Sequence, residues 1–175
     1  MNRARLAAIV AAYGAFVATI PLANWTLDRY GFWDVPILGP VASGVVWIGL
    51  AFVLRDLAQL LTNRYLILVA IAVGVILSAV LADAGLAVAS GVAFGVSELL
   101  DWSIYTPLAA RRFMAAVAVS SFAGALLDSW LFLELAFDSP RGWWQLATAK
   151  VVIVSAALPL AWWIRFRAVP RYVTG

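Results

Sequence analysis

Glu98 and Asp101 stand three residues apart in the run Ser97-Glu98-Leu99-Leu100-Asp101. On a helix that spacing puts both carboxylates on one face, and Tyr105 continues the face by about one turn. Asp56 follows Arg55 in Val53-Leu54-Arg55-Asp56-Leu57-Ala58-Gln59, Asp128 lies in Leu127-Asp128-Ser129, and Lys150 interrupts a further apolar stretch. Carboxylates and an ammonium gathered in apolar surroundings suit a polar, flat heterocycle better than a lone ion. Much other chemistry is excluded. The chain has no His and no Cys, so it offers no thiol nucleophile, disulfide or His-ligated metal. The usual proteolytic and acyl-transfer constellations are therefore absent, and no Walker-type loop appears. A carboxylate-pair hydrolase built on Glu98 and Asp101 is the remaining enzyme reading, and it is disfavoured. The expectation is a binding or transport protein, not an enzyme, with no cofactor and no metal.

The elements that must position these residues are apolar helices. Of the 175 residues 65% are apolar and 12% charged, about half the charged fraction usual in a soluble domain. A bilayer-crossing helix needs roughly 20 mostly apolar residues. Stretches 5–23, 40–61, 65–82, 86–108, 113–135 and 144–164 qualify. They are continuous and lack alternation, which excludes a β-barrel. Backbone amides in lipid must be satisfied within the segment, so each run is expected to be helical. The predicted connections are short (Thr62-Asn63-Arg64, Ala84-Gly85, Ala109 to Arg112, Phe137 to Trp143) except for Asn24 to Gly39, an interfacial turn carrying Trp25, Tyr30, Phe32 and Trp33. The fold class is thus all-α, a single polytopic membrane domain over 1–175 with six transmembrane helices.

Basic residues set the orientation. With the N-terminus inside, Arg3, Arg5, Arg55, Arg64, Arg111, Arg112, Arg165, Arg167 and Arg171 fall on the cytoplasmic side, nine of the twelve Lys and Arg. Arg29, Arg141 and Lys150 remain for the other face or the membrane, and Asp28, Asp34, Asp83 and Asp138 fall outside. Both termini are then cytoplasmic and the protein is a multi-pass component of the cell (inner or plasma) membrane. The Arg excess sits in short loops and does not point to nucleic acid. The first apolar run is long for a signal peptide and no convincing cleavage site follows it. Trp25, Trp33, Trp143, Trp144, Trp162 and Trp163 fall near predicted boundaries, where indole rings prefer to sit.

An ionisable residue near the bilayer centre costs at least about 2.5–3.5 kcal/mol, so each intramembrane charge needs an account. Arg55 and Asp56 have two readings: interfacial, with Arg55 snorkelling, or interior. Lys150 either snorkels past Trp143 and Trp144 or pairs with Asp128. Glu98, near mid-span, is hardest to read as structural. The rows Ala87, Gly91, Gly95 and Ser120, Gly124, Asp128 recur every four residues and allow close helix contact, turning the acids toward a shared interior. Trp47, Phe94, Trp102, Phe122 and Trp130 are candidates to flank a planar ligand. Asp56 in span two and Asp128 in span five occupy comparable points in helices of opposite direction, which suggests a 3+3 inverted repeat.

Taken in order, Asn24 after the first span, Arg55-Asp56-Leu57, Ser97-Glu98-Leu99-Leu100-Asp101, Leu127-Asp128-Ser129, then Lys150 with Pro159, resemble the VUT family, whose characterised members are queuosine precursor transporters. The resemblance runs from Asn24 to Pro159. It departs in the chain's shortness and in Arg55, where some relatives have an uncharged residue. It implies a small-molecule cargo, a 7-deazaguanine carrying a nitrile or aminomethyl group. One carboxylate can accept both adjacent N–H donors of such a ring. Glu98 is the first choice for this, Asp101 or Asp128 the second, with a further Asp for a cationic aminomethyl group. Lys150 or Asn24 suits an acceptor on the cargo, and Trp102, Trp47 or Phe122 the ring face. The expected binding set is Asn24, Asp56, Glu98, Asp101, Trp102, Asp128 and Lys150. An alternative is a vitamin-binding membrane subunit energised by a separate ATPase partner. The sequence leaves open such a partner and a homo-oligomer.

Overall fold

The computed structural model describes residues 3–82 and 86–168. Six helices run in order: α1 (Arg3–Tyr30), α2 (Val45–Leu61), α3 (Leu66–Leu81), α4 (Ala87–Ala109), α5 (Phe113–Phe137) and α6 (Trp143–Trp163), with a π-helical turn at Ile164–Ala168. Strands β1 (Phe32–Val35) and β2 (Gly39–Ala42) form an antiparallel hairpin between α1 and α2, pairing Phe32 with Ala42 and Val35 with Gly39. Tight connections make successive helices antiparallel. One face therefore gathers Arg3, Arg64, Arg111 and Arg112, all exposed; the hairpin lies at the opposite face. Asp83 and the Ala84-Gly85 connection, together with Arg171, lie outside the described residues.

The chain is an α-helical membrane protein. Four of its helices, over Leu6–Tyr30, Ala87–Ala109, Phe113–Phe137 and Trp143–Phe166, are long and apolar enough to cross a bilayer. The other two fall short of the expected length. With 17 and 16 residues, α2 and α3 reach about 24–26 Å at ~1.5 Å per residue, against a hydrocarbon core of roughly 30 Å. α2 tolerates this because it is the central helix. Val53 and Leu57 pack with Tyr105, Phe113, Val117 and Val154, while Ala51 and Ala58 pack with Phe16, Ile20, Ile67 and Phe94. Lipid-facing stripes lie on the outer helices: Val69, Val73, Ile76 and Val80 on α3, and Val88, Val92, Val96 and Leu99 on α4, are exposed at the spacing of one helix face. The six boundary tryptophans are likewise exposed.

The expected long loop is mostly ordered structure. α1 continues through Asn24 to Tyr30, and Asn24 donates from Nδ2 to the Ile20 carbonyl inside the helix at 3.0 Å. The hairpin follows, with Gly31 and Gly39 at positive φ, where a residue without Cβ is unstrained. Ser43 fastens it to α1: its N–H donates to Gly31 O at 3.0 Å and its hydroxyl to Thr26 O at 2.9 Å.

Small residues set the helix spacing. The Ala87, Gly91, Gly95 row faces α3, since a Cβ on Gly91 or Gly95 would meet Ala79 or Val75. A Cβ on Gly124 would fall 2.7 Å from the Phe52 ring and 3.3 Å from the Asp101 Cβ. At Gly44 the obstacle is backbone, with Ala23 O at 2.5 Å. Backbone cannot swing aside as a side chain can, so Gly44→Ala is expected to push α2 off α1 and lower the yield of monodisperse protein in detergent. Gly14→Ala, where a Cβ meets nothing within 4 Å, serves as the neutral control in the same chromatographic assay.

The suggested repeat is matched only in part. α4 packs closely on α5 as α1 does on α2, but α3 leaves α2 to lie against α4, whereas α6 packs on both α5 and α2. Asp56 and Asp128 do both sit in the C-terminal halves of their helices, each beside a cation.

Candidate functional site

The intramembrane charges form two groups. In the half nearer the arginine-rich face, Arg55 on α2 is met by three carboxylates, and all four side chains are fully buried. Arg55 Nε donates to Glu98 Oε2 at 3.2 Å. Its Nη1 lies 2.8 Å from Asp56 Oδ1 and its Nη2 2.5 Å from Asp101 Oδ1. These last two are charge contacts off the hydrogen-bond line, because Asp56 Oδ1, Asp101 Oδ1 and Arg55 Nη2 have no aligned partner. Tyr105 closes the group: its hydroxyl donates to the Asp56 carbonyl at 3.2 Å and its ring lies 5.6 Å beneath the guanidinium carbon. Ser120 Oγ on α5 donates to Asp56 Oδ2 at 3.4 Å. The interior reading of Arg55 and Asp56 therefore holds and the snorkelling one fails. A residue flanked by α4 and α5 acids has no reason to reach for water.

The second group lies nearer the hairpin face. Lys150 on α6 donates to Asp128 Oδ2 on α5, and both are nearly buried. Lys150 thus pairs inward and does not snorkel. The pair lines a cleft of about 140 Å³, bounded also by Asn24 and Leu27 of α1, Ser90 and Phe94 of α4, and Phe132 of α5. A larger hollow of about 210 Å³ lies against Leu126, Trp143, Trp144 and Thr148. Its lining is almost wholly apolar and its tryptophans are exposed, so it offers a lipid chain a resting place and a polar ligand nothing.

Ser97 ties α4 to the cleft group. Its hydroxyl bonds the Ala93 carbonyl at 2.7 Å and lies 3.3 Å from Asp128 Oδ1, one residue before Glu98. On the far side, Arg55 Nη1 reaches Gln59 Oε1 at 3.5 Å, and Gln59 Nε2 donates to Thr106 Oγ1 at 3.0 Å. Polar side chains therefore lead from the Arg55 group to half-buried Gln59 and Thr106.

Of the seven expected residues, Asn24, Asp128 and Lys150 line the cleft, and Asp56, Glu98 and Asp101 surround Arg55. Trp102 is the exception. Its Nε1 donates to the Arg64 carbonyl at 3.0 Å, tying the α2–α3 loop to α4 instead of flanking the cleft. Asp101 points inward, and the next residue on a helix points about 100° away. Phe122 packs in the core and Trp130 is exposed. The aromatic walls of the cleft are Phe94 and Phe132. Phe132 went unnoticed in the sequence, although its position four residues after Asp128 puts it on the same helix face.

The fold and site define a polytopic helical membrane protein with a small charged cleft stacked on a sealed ionic group. In comparisons with protein-family models, curated proteins and solved structures, nothing matches this chain.

Proposed function

We propose that this protein is a membrane transporter for a small, flat, polar heterocycle, working by alternating access in the cell membrane. The observation that carries the reading is the stacking of a cleft floored by Asp128 and Lys150 on a buried ionic group that closes the route to the arginine-rich face. A scaffold has no use for charges that cost this much to insert. A carrier needs polar contacts at mid-membrane and a closed barrier beyond them.

The sequence resemblance to the VUT family nominates the cargo, a 7-deazaguanine precursor of queuosine. The cleft chemistry supports that class. Asp128 can accept the adjacent N–H donors of the pyrimidine edge, Lys150 and Asn24 can donate to a carbonyl or nitrile, and Phe94 and Phe132 supply apolar walls. Its volume is near the ~150 Å³ of an apolar cavity that takes benzene, so one ring would seat deeply and the second would reach the mouth. Asp128, which lines the cleft, suits the recognition role better than Glu98, which does not.

Proteoliposomes holding only this protein are expected to accumulate labelled cyano-7-deazaguanine without ATP, with Asp128→Asn abolishing uptake. Uptake that appears only with an ATPase partner would assign the chain to a dependent binding subunit. Thermal stabilisation by unrelated vitamins but by no deazaguanine would overturn the cargo.

A further inference from the structure

Three carboxylates converge on one guanidinium, and none of the four side chains is exposed. With every group ionised the assembly carries a formal charge of −2. Glu98 Oε1 and Asp101 Oδ2 are buried with no hydrogen-bond partner. Uncompensated charge and unpartnered polar atoms are both costly out of water. The positive charge that would offset them has to fit the space. Arg55 already fills the centre, which leaves a metal cation no central position. α2, α4 and α5 are continuous through this region, so none offers the unwound backbone carbonyls that coordinate sodium in broken-helix carriers. Among the described residues no group of three or more Cys, His, Asp or Glu is disposed to hold a metal. A proton needs no such room.

We propose that the Arg55 group is a proton-binding site and that Glu98 is the residue that takes up and releases the proton during transport. Glu98 is singled out by position. Phe94, a wall of the cleft, lies one helical turn before it on the same face of α4, and Asp128 lies within electrostatic reach of it. On the other side it is held by Arg55, whose contact with Gln59 leads toward Thr106. The titratable groups around it are Arg55 and Asp56 from α2, Asp101 and Tyr105 from its own helix, and Asp128 from α5 with its partner Lys150 from α6. α3 contributes no titratable side chain, and Tyr13 of α1 is turned to Thr62. The step exchanges one O–H bond for another: hydronium at the cleft side passes a proton to the Glu98 carboxylate and is left as water, and when the Arg55 group parts the Glu98 O–H breaks as water at the Gln59 side takes the proton to become hydronium. Its coupling to cargo rests on the transporter reading; the existence of the site does not.

Infrared spectroscopy of the protein in bilayers tests the site without cargo. A protonated carboxyl C=O band is expected at neutral pH, disappearing at alkaline pH and missing from Glu98→Gln. Only Glu98 and Glu134 are glutamates, so glutamate isotope labelling of the wild type and of Glu134→Gln assigns the band even if Glu98→Gln fails to fold. No band at neutral pH, or a band that moves only with labelled aspartate, overturns the assignment. In proteoliposomes an acid-outside gradient is expected to raise initial uptake of labelled cyano-7-deazaguanine severalfold, with alkalinisation outside reported by a pH dye. Uptake driven by a sodium gradient and indifferent to pH overturns the coupling while leaving transport intact. Absence of any uptake sinks the transporter reading, and the infrared result still decides the proton site.

Discussion

Arg55→Met is expected to destabilise the protein by about 3–5 kcal/mol, the usual effect of removing one partner from a buried charge pair. The lost side chain is the common partner of Asp56, Glu98 and Asp101, and none of those acids can turn to solvent from a fully buried position. Met has nearly the volume of the Arg stem, so little of the loss comes from a cavity. Arg55→Lys is expected to rescue only part of it. A guanidinium presents a planar fork that reaches three carboxylates at once, whereas an ammonium is a compact point charge on a flexible stem. The diagnostic variant combines Arg55→Met with Asp56→Asn, Glu98→Gln and Asp101→Asn. Replacing a whole buried ionic group by neutral residues is often neutral or stabilising, so this quadruple variant should unfold at a higher temperature than Arg55→Met alone while failing to transport. Thermal unfolding in detergent checks the series. An Arg55→Met protein that melts with the wild type would mean the group is solvated, and the barrier assigned to it would be lost.

The same residues show what a sequence discloses and what it withholds. The spans were legible because lipid demands long uninterrupted apolar runs, and the helices begin and end within a few residues of the expected limits at both ends of α3, α4 and α6. The intramembrane charges were legible because they interrupt those runs. Their partners were not. Arg55 lies far enough along α2 for either a snorkelling or an interior placement, and only the packing of α4 and α5 against that turn decides between them. Trp102 is the opposite case, a residue whose neighbour gave it false relevance; adjacency in sequence is divergence on a helix. Helical spacing did hold a usable signal for the cleft wall. Phe94 precedes Glu98 by four residues and Phe132 follows Asp128 by four, so both aromatics share faces with acids. The expected Asn24 to Gly39 loop gives way to helix and hairpin for a physical reason. Hydropathy reports where lipid ends, not where helix ends, and α1 simply continues past the apolar stretch to Tyr30.

Lys150→Met and Asp128→Asn should each weaken binding of cyano-7-deazaguanine about 10–100-fold, the equivalent of the ~1.5–3 kcal/mol of one charge-assisted hydrogen bond. The two should differ in stability. Lys150→Met leaves the Asp128 carboxyl buried beside Ser97 without its cationic partner, whereas Asp128→Asn leaves a lysine whose long stem lets its head move toward the mouth of the cleft. The melting temperature is therefore expected to fall further for Lys150→Met. A charge exchange, Asp128→Lys with Lys150→Asp, separates pairing from recognition. It restores an ion pair between α5 and α6 and should recover part of the lost stability. It also reverses which helix offers the acceptor and which the donor to the cleft, so a ligand seated between Phe94 and Phe132 meets each polar group on the wrong side. Binding measured by calorimetry should not recover in the exchanged protein. Wild-type affinity there would mean that the pair only ties α5 to α6, and the cleft would lose its claim to be the recognition site.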